Sequence, residues 1–137
     1  MAATYPTHAI TERFSLLTAY PMARSVTPVS GEGADKPVAQ KFIETSARSW
    51  AESDIKQLTT TGQVAMDSSK GDQQGPISLG VAVSAPVPGQ PPREPGKPGD
   101  EAQKPEIRLA VIGDSDFIAN YTGNIRGNLD LFLNTVN

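Results

Sequence analysis

The sequence predicts an α/β domain, and three segments carry that expectation. Pro76-Ile-Ser-Leu-Gly-Val-Ala-Val-Ser-Ala85 alternates Ile77, Leu79, Val81 and Val83 with Ser78, Gly80, Ala82 and Ser84, the two-residue period of a strand. Arg108-Leu-Ala-Val-Ile-Gly-Asp-Ser-Asp-Phe117 is a second apolar run, and it ends in a tight acidic turn. The last eleven residues from Gly127 place Leu129, Phe132, Leu133 and Val136 at i, i+3, i+4 and i+7, the spacing of an amphipathic helix. A chain of 137 residues is enough for one domain.

From the start, Tyr5 to Thr27 reads as an extended or turn segment with a strand at Ser15 to Ala19. Within it, Thr7 to Phe14 can open as one helical turn. Ser30 to Pro37 is a loop by its Gly, Asp and Pro content. Val38 to Thr45 reads as a strand in which Phe42 and Ile43 point to opposite faces. Ser49 and Glu52 have the spacing of a capping box, which predicts a helix from Trp50 to about Leu58. Thr59 to Gly75 is polar and reads as a loop with room for a short helix. The strand at Pro76 to Ala85 carries small residues along one whole face, so it is expected to be covered on both sides. Pro86 to Pro105 is rich in Pro, Gly and charge, offers almost nothing to bury, and reads as a flexible loop. Ile107 to Ile112 is then expected to pair antiparallel with Ile77 to Ala85. Asn128 is the predicted N-cap of the final helix, with Asp130 in its first turn. The helical pattern is still running at Asn137, which leads us to expect an incomplete domain over residues 1–137 with an exposed sheet edge prone to pairing.

Composition excludes several function classes. The net charge of -3 and the lack of a basic patch argue against a nucleic-acid partner. With no cysteine there is neither a disulfide nor a thiolate nucleophile, and the single His8 is too little for a histidine metal site. No apolar run is long enough to span a bilayer, and the first residues lack the regions of a signal peptide.

The acidic turn is the main candidate site, because ligands in open α/β sheets bind at the carboxyl ends of strands. Gly113-Asp-Ser115 is where one hydrolase class keeps a nucleophilic serine. No histidine follows Ser115, and a serine without a base is a weak nucleophile. Asp114 and Asp116 offer oxygen ligands to a hard cation, although residues spaced by one tend to diverge. The plainer expectation is that these acids organise the turn and cap Phe117 to Tyr121. Ser49 and Trp50 join Asp114, Ser115 and Asp116 as candidate ligand-binding residues. Trp50 is otherwise a packing anchor or a hot spot for a partner. Arg24 and Arg48 are candidate ion-pair partners for the two acids. A pocket gathering Asp114, Asp116, Ser49 and an arginine would favour a ligand-binding or hydrolytic domain. A turn whose acids are occupied by backbone N–H groups would favour a scaffold. No cofactor is expected.

Six blocks occur in order: Tyr5-Pro-Thr-His-Ala-Ile-Thr11, Ala19-Tyr-Pro-Met-Ala-Arg-Ser25, Thr45-Ser-Ala-Arg-Ser-Trp-Ala-Glu52, Gly75-Pro-Ile-Ser-Leu-Gly-Val-Ala-Val83, Arg108 to Phe117, and Gly127 to Asn137. This arrangement resembles the gliding-motility type ABC-transport auxiliary proteins, with the Pro-rich stretch as the variable part. The resemblance implies a Rossmann-like, glutamine-amidotransferase-like sheet flanked by helices, with this chain as the C-terminal part of an extracytoplasmic domain and a mixed sheet as its core. It implies a periplasmic location on the bacterial inner membrane, anchorage by segments outside this chain, and ABC permease, ATPase and envelope proteins as partners. It carries over no catalytic residue, so it implies a non-catalytic scaffold.

Overall fold

A computed structural model describes residues 4–29, 31–32, 36–91 and 105–137. Most of the expected Pro-rich loop, and part of the Ser30 to Pro37 loop, lie outside the described residues. The architecture is mixed α/β. A three-stranded sheet of order β1-β4-β5 is built from β1 (Val38–Glu44), β4 (Ser78–Pro86) and β5 (Glu106–Ile112). A minor two-stranded sheet pairs β2 (Trp50–Ala51) with β3 (Gln73–Gln74). The helices are α1 (Ile55–Thr61) and α2 (Arg126–Val136).

The antiparallel pairing of the two apolar runs is present: β4 and β5 run in register from Gly80↔Ile112 to Pro86↔Glu106. The expected mixed sheet is not, since β1 pairs antiparallel with β4 as well. Val38 to Lys41 match β4 residue for residue, then the register shifts between Lys41 and Ile43 and again before Glu44. Phe42 is the extra residue of that bulge, which is how neighbouring Phe42 and Ile43 both become fully buried. Ser78 to Val81 are buried on both faces, whereas the second half of β4 is only partly covered.

Two helix boundaries differ from the sequence expectation. Ser49 does not cap a helix; its hydroxyl bonds to Thr45 Oγ1 at 2.6 Å and the Ser46 carbonyl at 2.7 Å. Trp50 lies on β2 instead. The cap of α1 is Asp54, whose Oδ1 accepts the Gln57 N–H at 2.8 Å, and the helix ends at Gly62 with φ 67°. The aspartate three residues before Gln57 takes the cap, while the Ser49 hydroxyl is bonded to Thr45 and Ser46. The stretch expected as a strand at Ser15 to Ala19 holds a single bridge residue, Thr18, and forms no strand. The helical turn near Thr7 is present as a three-ten turn at Ala9–Thr11.

The larger correction concerns α2. Its N-cap is Ile125, and Asn128 is the third residue inside the helix. Asn128 and Leu131 are completely buried, while Leu129, Phe132, Leu133 and Val136 are between 36% and 62% exposed. The helix therefore turns the row of Asn128 and Leu131 inward and the stripe of Leu129, Phe132, Leu133 and Val136 outward. Asn128 explains the orientation. Its Oδ1 accepts the Ala19 N–H at 2.9 Å, its Nδ2 donates to the Ala19 carbonyl at 3.0 Å, and the same Nδ2 donates to the Phe117 carbonyl. One side chain thus supplies the bonds that a neighbouring strand would have given to Ala19. A buried polar group is tolerated only when it is satisfied in this way.

The core is Tyr20, Phe42, Ile43, Ile77, Leu79, Phe117 and Leu131. It is sealed by two glycine contacts. A Cβ on Gly127 would stand 2.1 Å from the Leu17 carbonyl oxygen, and one on Gly113 would stand 2.0 Å from that of Arg24. Only a residue without a side chain lets these backbones meet. No described helix is long and apolar enough to cross a membrane.

Gly127→Ala must push α2 off the Leu17 segment, and overpacking of this kind costs about 1–3 kcal/mol. Asn128→Leu keeps the branched shape but strands the two Ala19 groups and the Phe117 carbonyl, at about 1–3 kcal/mol for each group left unpaired. Urea unfolding monitored by circular dichroism is expected to rank Asn128→Leu as the more damaging of the two.

Candidate functional site

β5 ends at Ile112, and the chain is held there by its backbone. Gly113 donates to the Leu79 carbonyl at 2.9 Å, and its own carbonyl accepts the Arg24 N–H at 2.7 Å. Asp114 follows at 6% exposure. Its Oδ1 accepts the Asp116 N–H at 2.8 Å and its Oδ2 accepts the Met22 N–H at 3.2 Å. The carboxylate closes its own turn with one oxygen and ties down the distant Met22 segment with the other. Behind it, the three-ten turn Asp116–Ile118 buries Phe117 against Tyr20, with ring centroids 5.8 Å apart. Burial pushes the Tyr20 phenol well above its usual range, and among the described residues its hydroxyl has no hydrogen-bond partner, while the neighbouring Thr18 hydroxyl bonds to Tyr5 at 2.8 Å.

The remaining candidates do not converge on this turn. Ser115 is exposed and makes no side-chain cap bond. Asp116 is half-buried, and its carboxylate beside the exposed Tyr121 hydroxyl raises that phenol's pKa. Arg24 meets the turn through its backbone, and among the described residues neither Arg24 nor Arg48 forms an ion pair with Asp114 or Asp116. Ser49 faces Thr45 and Ser46, and the Trp50 indole donates to Glu52 Oε2 at 3.2 Å. His8 is likewise occupied: its Nδ1 accepts the Ile10 N–H at 3.1 Å, and its ring lies 5.9 Å from Phe42. Among the described residues no hydrogen bond joins Ser115 to a base.

The sequence reading overlooked Asp72. This residue is 7% exposed, and its Oδ1 accepts both the N–H and the hydroxyl of Ser53, at 2.8 and 2.9 Å. Its Oδ2 accepts the Asp67 N–H at 2.8 Å. Those backbone donors, Asp67 first and Ser53 second, hold its pKa below the ordinary value of 3.8. Asp72 thereby ties Ser53, just ahead of α1, to Asp67 in the turn before Ser68. Beside it lies a cavity of about 260 Å³ whose wall includes Glu52, Asp54, Asp67, Asp72 and Lys70. Among the described residues no group of three or more His, Asp or Glu side chains is placed to hold a metal ion. Only Asp67 with Ser69 two residues on, and Gly71 after it, hinted at a structured turn here.

No protein-family model, curated protein or solved structure matches this chain.

Asp114→Asn replaces one acceptor oxygen by an amide N–H that faces a backbone N–H. A loss of about 1–3 kcal/mol is expected by chemical unfolding, with no shift in melting temperature on adding Mg²⁺, Ca²⁺ or Mn²⁺ to either protein. A bound ion at 100 times its Kd would raise stability by roughly 2.7 kcal/mol and be seen at once.

Asp72 sets a pH dependence of definite sign. Its folded pKa is lowered, so its contribution is present above the unfolded value of 3.8 and is lost as pH falls through the lower folded value. Unfolding midpoints measured across the acid range should decline there in the native chain. The decline should be shallower in Asp72→Asn, which is already less stable at neutral pH.

Proposed function

We propose that this chain is a non-catalytic scaffold: part of the extracytoplasmic domain of an ABC-type transport auxiliary component of the gliding-motility kind. In this reading the three antiparallel strands are one portion of a larger Rossmann-like, amidotransferase-like sheet. ABC permease and ATPase subunits and envelope proteins are its partners, and segments outside this chain anchor it to the bacterial inner membrane. The observation that carries the scaffold reading is the state of the acidic turn. Both oxygens of Asp114 are committed to backbone N–H groups, so the most buried acid of the turn organises backbone. The apolar stripe of Leu129, Phe132, Leu133 and Val136 on α2 adds support, because grouped apolar side chains at a surface are the usual mark of a protein contact. The resemblance of Arg108 to Phe117 and Gly127 to Asn137 supplies the transport context. A ligand-binding or hydrolytic role for Asp114, Ser115 and Asp116 has less support, because the serine lacks a base and the first acid is occupied.

The chain contains no cysteine, which permits a direct test. Tyr121 is 66% exposed, so Tyr121→Cys in the intact protein, with any cysteine outside these 137 residues replaced by serine, gives a single surface thiol. In the native host, a membrane-impermeant maleimide should label that thiol in spheroplasts without permeabilisation. Labelling only after the membrane is opened would place the domain on the cytoplasmic side and overturn the reading.

A further inference from the structure

The outer edge of β5 has a self-complementary pattern. Val87 donates to the Pro105 carbonyl at 2.8 Å and Gly113 to that of Leu79 at 2.9 Å, which brackets the β4–β5 ladder at both ends. Bonded pairs alternate along an antiparallel ladder, so the odd-numbered residues of β5 direct their N–H and C=O groups to β4. Glu106, Arg108 and Ala110 direct theirs outward, and among the described residues no hydrogen bond engages them there. Pro105 falls on the odd set, so its missing N–H is not needed at the edge. Ile107, Leu109 and Val111 are between 40% and 57% exposed along the same strand. The far end is less open, since the Gly113 backbone meets that of Arg24 and lies beside the Val26 side chain.

We infer that β5 pairs antiparallel with β5 of a second copy of this chain, about a two-fold axis through Ile107. Bonding parity requires a residue on the axis, and the charges choose which one. An axis through Arg108 sets two arginines directly opposite each other, which is repulsive. An axis through Leu109 extends the new strand toward the end that the Arg24 segment crosses. An axis through Ile107 sets Glu106 of each copy opposite Arg108 of the other and joins Ile107 to Ile107. The overlap then runs from Pro105 to Leu109 over the open part of the edge. Within one chain Glu106 and Arg108 already lie 3.4 Å apart, so the dimer closes a square of alternating charge. Edge strands often carry charge to repel other strands; here the two signs are arranged to accept one partner. This inference does not rest on the transport reading.

The test uses the 137-residue chain. Sedimentation velocity over a concentration series should show a monomer–dimer equilibrium that salt weakens. Arg108→Glu should raise the dimer Kd by about tenfold or more, with the melting curve little changed because that side chain is 83% exposed. Glu106→Arg combined with Arg108→Glu should restore the dimer. In the non-bonded pair on the axis the Cα atoms are about 4.5 Å apart, within disulfide reach. Ile107→Cys should therefore oxidise to a covalent dimer while Leu109→Cys does not. A chain that stays monomeric at every concentration would overturn the inference. So would cross-linking at position 109 in place of 107, or a dimer indifferent to the charge exchange.

Discussion

The buried amide of Asn128 is the contact on which the packing of this protein turns. It meets the N–H and C=O of Ala19 and the carbonyl of Phe117 from the first turn of α2. These three groups belong to segments that lie outside the two described sheets. Without the amide, the Phe14 to Tyr20 segment would carry unpaired backbone under a helix, which is among the costlier faults a core can hold. With it, the backbone of Ala19 is satisfied from the helix. Gly127, one residue earlier, lets the helix backbone come close enough for the amide to reach.

The orientation of α2 follows. A helix with Leu129, Phe132, Leu133 and Val136 on one stripe would ordinarily bury that stripe. Here the Asn128 and Leu131 row is buried and the stripe faces outward. The hydrogen bonds of Asn128 are directional and the glycine contact has no slack, whereas apolar burial is indifferent to direction and can be satisfied by a partner. The outer face of β5 has the same character, with three apolar side chains partly in solvent. These two partly exposed apolar surfaces are the physical support for the scaffold proposal.

The acidic residues serve a different purpose from the one their position invites. Asp114 at the end of β5 and Asp72 ahead of β3 sit in unrelated parts of the chain, yet both accept N–H groups from segments remote in sequence. Each replaces a missing piece of regular structure with a carboxylate that collects backbone donors. That economy suits a chain with short strands and long irregular connections. It also engages each oxygen of Asp114 with a backbone N–H.

The sequence by itself determined the elements whose signal is local. The two-residue alternation of Pro76 to Ala85 and the apolar run at Ile107 placed β4 and β5, and the intervening Pro-rich stretch implied their antiparallel pairing. The i, i+3, i+4 spacing after Gly127 placed α2, and the acidic turn was legible as a turn. Tertiary structure alone decided which face of α2 points inward, because helical spacing defines a stripe but not what meets it. It also decided between Ser49 and Asp54 as a cap, since the Ser49 hydroxyl found Thr45 and Ser46 first. The bulge that buries Phe42 and Ile43 together, the clamp at Asp72 and the scattering of Ser49 and Trp50 away from Asp114 were equally closed to sequence reading. Each depends on groups brought together over long separations, and neither periodicity nor residue type records which donor a carboxylate will meet.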